Sequence, residues 1–116
     1  MTDYSKLSDR EIDRLVLNIV YGRHANDKDV QRCWSRGGFK YTNNPDEAWS
    51  IIAENKISIV SLDNKWIAAP VDAVIDGITG DSEVCFYASC DAVSDANPLR
   101  AAMIVFLLIQ ENNRGN

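Results

Sequence analysis

"DANPLRAAMIVFLLIQEN", residues 95–112, decides the fold. From Ala101 to Ile109 nine apolar residues run unbroken, bracketed by Arg100 and Gln110. A membrane-spanning helix needs about 20 such residues, so this run is too short to cross a bilayer. A helix apolar all round is instead the buried centre of a core. Asn97 is placed to cap it, and Pro98 suits the first helical position, where its missing N–H has no partner to lose. The spacing predicts a helix over about 98–111.

The same grammar occurs once more, in "NNPDEAWSII", residues 43–52. Asn44 caps, Pro45 opens, and Asp46 and Glu47 sit where the helix dipole favours negative charge. A helix over about 45–54 follows, with Ala48, Trp49, Ile52 and Ala53 as its inner face and Asn55 as a left-handed terminator. A third helix, about 9–21, is announced by "LSDREI": Ser8 and Glu11 have capping-box spacing, and Leu7 and Ile12 that of a hydrophobic staple. Ile12, Leu15, Val16, Ile19 and Val20 keep helical spacing until Gly22 stops the run.

Between the second and last helices, "KISIVSL" and "WIAA" flank the polar turn "DNK", a hairpin pattern over about 57–69. "EVCFYAS" suggests a further strand over about 83–89, and "VDAVID" fits a strand or a helical turn equally. The expected class is α+β. A small antiparallel sheet of three to four strands packs on the buried C-terminal helix, with two further helices at its flanks. At 116 residues, with 46% hydrophobic and 25% charged, the chain reads as a single globular domain, 1–116.

A net charge of −5 argues against general nucleic-acid binding, which works by neutralising phosphates. The charge is polarised. Residues 23–40 hold Arg23, Lys28, Arg32, Arg36 and Lys40 against Asp27 and Asp29, whereas 63–95 hold seven carboxylates against Lys65 alone. Such a molecule offers a basic patch to an anion or an acidic face to a basic partner. Three cysteines, Cys33, Cys85 and Cys90, are an odd number after a polar start, which points to reduced thiols in a cytosol. With His24 the sole histidine, the spacing supports no metal site, and no cofactor is expected.

In order along the chain, "DYSKLSDREI", "NNPDEAWSIIAENKISI", "WIA" and "NPLRAAMIVFLL" resemble the NinX-type accessory proteins of lambdoid bacteriophages. The resemblance covers roughly residues 3–111, with 70–92 poorly matched. In related members the second-helix motif reads closer to "DWAxGGPII"; Glu47 to Ile52 here keep the tryptophan and the isoleucine pair but no glycine. The resemblance implies a phage protein of the bacterial host cytoplasm that acts on something belonging to the host. It carries over no catalytic residues.

The sequence offers no nucleophile elbow, phosphate-binding loop or dinucleotide fingerprint, so no enzyme is expected. His24 with Cys33, and Asp72 with Asp76, are the nearest approaches to a catalytic pair, but His24 reads more simply as a surface histidine near a helix end and the two carboxylates as solvated side chains. The candidate ligand-binding residues are Arg32, Trp34, Arg36, Phe39, Lys40 and Tyr41, around the Gly37-Gly38 pair. Aromatic faces stack on bases and guanidinium forks hold phosphate, so the mixture suits a small anionic, nucleotide-like ligand such as a defence signal. The competing structural reading makes Trp34, Phe39 and Tyr41 the covered face of a strand. The functional expectation is therefore a non-catalytic phage protein that sequesters such a ligand. The alternative is an inhibitor or adaptor that binds a host protein through its acidic face. Self-association is compatible with both, and no membrane is involved.

Overall fold

The computed structural model describes residues 3–70 and 92–114. The elements are α1 (Asp9–Tyr21), α2 (Lys28–Ser35), α3 (Pro45–Glu54), β1 (Ser58–Ser61), β2 (Trp66–Ala69), β3 (Val93–Asp95) and α4 (Pro98–Arg114). Single 3-10 turns, Tyr4–Lys6 and Gly22–His24, stand on either side of α1. The fold is α+β, with α4 packed on a three-stranded antiparallel sheet of order β1-β2-β3.

α4 is central because its sequence leaves no polar side to present to water. Ala101 to Leu107 are all buried, and side chains are half-exposed only before them, at Pro98 to Arg100, and from Leu108 onward. The helix crosses all three strands and is flanked by α1 and α3. Ala68 of β2 and Ala101 and Ala102 of α4 are all fully buried, so small side chains contribute from both sides of the core. α1 adds Ile12, Val16 and Leu17, each with no exposed surface, and each such burial contributes roughly 1.5–3 kcal/mol.

The capping grammar is realised atom by atom. Glu11 N–H donates to Ser8 Oγ at 3.1 Å and Ser8 N–H to Glu11 Oε1 at 3.3 Å, the expected box. Asn44 Oδ1 accepts from Asp46 N–H at 3.0 Å. Asn97 Oδ1 accepts from Leu99 N–H at 2.9 Å and Arg100 N–H at 3.3 Å. Asn97 does more than cap, since its Nδ2 donates to the Thr42 carbonyl at 2.7 Å and so ties α4 to the loop before α3. Asn44→Ala should cost about 1 kcal/mol in urea unfolding, since its further bond, from Nδ2 to Glu47 Oε1, stays within the first turn of α3, and Asn97→Ala about 2, because a bond between two elements is lost with the cap. Equal losses would mean that the tie to Thr42 contributes no more than that local bond.

Four departures from the sequence expectations matter. α2 was not foreseen, and it replaces the strand considered for part of residues 32–41. Its Asp27 makes no side-chain capping bond, and its few apolar residues include Val30 and Trp34, one turn apart. Residues 37–44 form turns rather than a strand. Asn55 keeps φ −96°, and Lys56 instead takes the left-handed conformation at φ 51°. β3 pairs Trp66 with Asp95 and Ala68 with Val93, a strand the sequence reading did not foresee. The strand expected at 83–89, the segment "VDAVID", and Cys85 and Cys90 lie outside the described residues.

Arg100 closes the start of α4. Its Nη1 donates to Asp9 at 2.7 Å, its Nε to Asp95 at 3.0 Å, and its Nη2 to the carbonyls of Ser5 and Leu7 at 3.0 and 2.7 Å. One planar fork thus joins β3, the amino end of α1 and the segment before it, which a point-charge ammonium could not do.

Candidate functional site

The stretch from Arg32 to Tyr41 is organised by a residue outside it. Arg10, on α1, lies with its guanidinium carbon 3.5 Å from the centroid of the Trp34 ring. Its Nη2 donates to the carbonyls of Trp34 at 2.9 Å and Gly38 at 3.0 Å, and its Nη1 to that of Phe39 at 3.3 Å. The Trp34 carbonyl, in the last turn of α2, also accepts from Gly37 N–H at 3.0 Å, the other two follow the helix end, and a cation there is favoured by the helix dipole. Gly38 N–H returns to the Cys33 carbonyl at 2.9 Å. A Cβ on Gly38 would fall 2.4 Å from Cys33 Sγ, so only glycine fits. Phe39, at φ 63°, is held in a conformation that side chains rarely adopt.

This geometry divides the six candidate residues. Trp34 packs on the core with Arg10 against its ring, and Arg14 reaches the same ring at 5.4 Å. Phe39 stacks on Tyr41 with centroids 6.3 Å apart and meets Tyr21 edge-on at 5.4 Å. Tyr41 is buried, and loss of hydration pushes its phenol well above the ordinary value. All three aromatics pack on the core, Tyr41 buried and Trp34 and Phe39 half-buried, from a helix and the segment after it rather than from a strand. Arg32 and Arg36 do come together, with Asp29, Cys33 and Gly38, around a shallow concavity of about 340 Å³. Lys40 is exposed outside that lining, while its N–H donates to Glu47 Oε1 at 3.2 Å. Among the described residues Arg32, Arg36 and Lys40 have no ion pair.

A second surface was missed. Trp49, assigned to the inner face of α3, is 65% exposed. Ala53 is exposed too, and the buried stripe is Ala48, Ile51 and Ile52. The positions 48, 51, 52 and 55 form a continuous helical stripe, and Trp49 lies about 100° away from Ala48. Trp49 and Ile52 line one side of a channel of about 520 Å³, with Ile59, Trp66, Pro98 and Leu99 from the sheet and α4. Asp46 is the one charged residue in its lining.

The family model described as "Bacteriophage P22, NinX" matches residues 3–110. The chain belongs to the bacteriophage P22 NinX family. That NinX match runs from the turn before α1 into the last turns of α4, so both surfaces lie within it. No curated protein and no solved structure matches the chain.

Further chemistry is sparse among the described residues. His24 Nδ1 is 2.9 Å from Asp27 Oδ2, with both side chains exposed. No group of three His, Cys, Asp or Glu side chains is placed to hold a metal among these residues. No described helix is long and apolar enough to cross a membrane.

Proposed function

We propose that this NinX-family protein is a non-catalytic binding protein that acts in the bacterial cytoplasm on a protein of the host. The observation that carries the reading is Trp49, a large aromatic left 65% exposed beside a mostly apolar channel. Tryptophan is depleted on ordinary surfaces and enriched among the residues that dominate protein interfaces. The alternative face expected from the sequence, the acidic 63–95 segment, falls mostly outside the described residues.

A second reading keeps the small anionic ligand. It is supported by two guanidinium groups, Arg32 and Arg36, that have no ion pair among the described residues and line one concavity. Of its three aromatics Tyr41 is buried, whereas Trp34, with Arg10 against its ring, and Phe39 are half-buried against the core. Affinity purification from infected host cells separates the two. Wild type and an Arg32→Ala/Arg36→Ala variant should retain one host protein that Trp49→Ala loses. Retention by Trp49→Ala and loss by the double variant would reverse the assignment. Calorimetric titration with cyclic and linear nucleotides supplies the second check, and binding abolished by the double variant alone would establish the ligand reading.

A further inference from the structure

The channel beside Trp49 has a chemical character that narrows what can occupy it. Its lining combines two indoles, Trp49 and Trp66, with aliphatic side chains and a single carboxylate, Asp46. That carboxylate has no ion pair among the described residues, whereas its neighbour Glu47 is engaged by Lys40 N–H and by Asn44 Nδ2. α3 carries Asp46, Glu47 and Glu54 and no basic residue, in a chain of net charge −5.

Two helices, α3 and α4, begin at this channel, and helix starts ordinarily attract anions. Here most of the donors are spent. Pro45 and Pro98 have no N–H, Asp46 N–H is taken by Asn44, and Leu99 and Arg100 N–H by Asn97, while Glu47, whose N–H is left over, is not part of the lining. The lining itself presents two indole rings and the Asp46 carboxylate, to which a cation is complementary.

We infer that the channel binds a segment of a partner polypeptide that presents an arginine or lysine flanked by apolar side chains. The inference rests on the proposed protein-binding role and names the chemistry of the partner. The cationic group lies against the exposed indole of Trp49 and pairs with Asp46. The apolar neighbours cover Ile52, Ile59 and Leu99. Arginine suits the site better than lysine, because a guanidinium plane stacks on an aromatic face while its N–H groups reach a carboxylate. Attraction across an exposed rim is screened, so binding weakens as salt rises.

The test selects a library of random short peptides on the full-length chain and measures the winners by fluorescence polarisation. Selected sequences should share a basic residue next to apolar ones. Trp49→Ala should weaken them at least about tenfold and Asp46→Asn several-fold, with circular dichroism unchanged. Selection of acidic or uncharged motifs, or binding indifferent to Trp49→Ala, would overturn the inference. A host partner that still depends on Trp49 would then leave the protein-binding reading standing. Two controls identify other occupants. The emission difference between wild type and Trp49→Phe should be that of a water-exposed indole, and a buried spectrum would mean that the chain covers its own channel. Sedimentation should show the same oligomeric state for wild type and Trp49→Ala. A dimer lost in the variant would assign the channel to a second copy instead.

Discussion

Replacing Met103 with aspartate is expected to abolish the folded state. Met103 has no exposed surface, and the residues on either side of it in α4 are buried as well. A carboxylate there has no partner among the surrounding apolar groups, and stranding it costs several kcal/mol. That is comparable with the whole stability of a small domain. Met103→Leu keeps the volume and should cost less than about 1.5 kcal/mol, which separates the charge effect from a packing effect. Far-ultraviolet circular dichroism with urea titration is the measurement. A cooperative transition at the wild-type midpoint for Met103→Asp would show that α4 is not the core element. Ile104→Asp and Phe106→Asp, within the same buried run, should behave similarly but leave more residual structure, because each keeps a little solvent contact, 3% and 5%.

The helices that carry explicit start signals were legible in the sequence to the residue. Ser8 with Glu11, Asn44 with Pro45, and Asn97 with Pro98 each combine a cap and an opening residue, and α1, α3 and α4 begin where those signals place them. α2 was not legible, because eight residues with only a few apolar positions give too short a window for periodicity. It forms because Val30 and Trp34 pack on the core and Arg10 takes up the carbonyls at its end. Those are tertiary causes, which no local pattern records. β3 has three residues, fewer than any alternation needs to become visible.

The candidate site was legible in part, for a related reason. Alternating cations and aromatics between 32 and 41 marked the stretch as unusual, but not which neighbours would claim the rings. The claimant, Arg10, lies far away in sequence on a different helix. Trp49 was misplaced through its size, since a tryptophan on a helix invites assignment to the core. The stripe through Ala48, Ile51 and Ile52 was the better signal. Asp13 carried a signal that went unused. It shares a helical face with the buried Val16 and Leu17, where a carboxylate requires a hydrogen-bonding partner.

That partner is Thr42, and the second large effect is expected there. Asp13 is 2% exposed and Thr42 fully buried. Asp13 Oδ1 accepts from Thr42 N–H and from Thr42 Oγ1, both at 2.9 Å, while Oδ2 lies 3.4 Å from Arg10 Nη1. Asp13→Ala removes the acceptor and leaves the Thr42 N–H and O–H buried without an acceptor, although Thr42 Oγ1 still accepts from Asn43 Nδ2 at 3.1 Å. Each orphan costs about 1–3 kcal/mol, so a loss of about 3 kcal/mol is expected in urea unfolding. Asp13→Asn keeps an oxygen in place and should lose about half as much. Two explanations compete for the effect, the hydrogen bonds to Thr42 and the charge of Arg10, and double-mutant cycles separate them. Coupling with Thr42→Val should exceed about 1 kcal/mol, since the bond is buried. Coupling with Arg10→Ala should be smaller, because that side chain is 38% exposed and its ion pair is long and screened. Arg10→Ala should instead act on the turn after α2, speeding amide exchange at Gly38, whose neighbouring carbonyls it holds. A larger coupling to Arg10 than to Thr42 would mean that ionic pairing, rather than the buried hydrogen bonds, fixes this loop against α1.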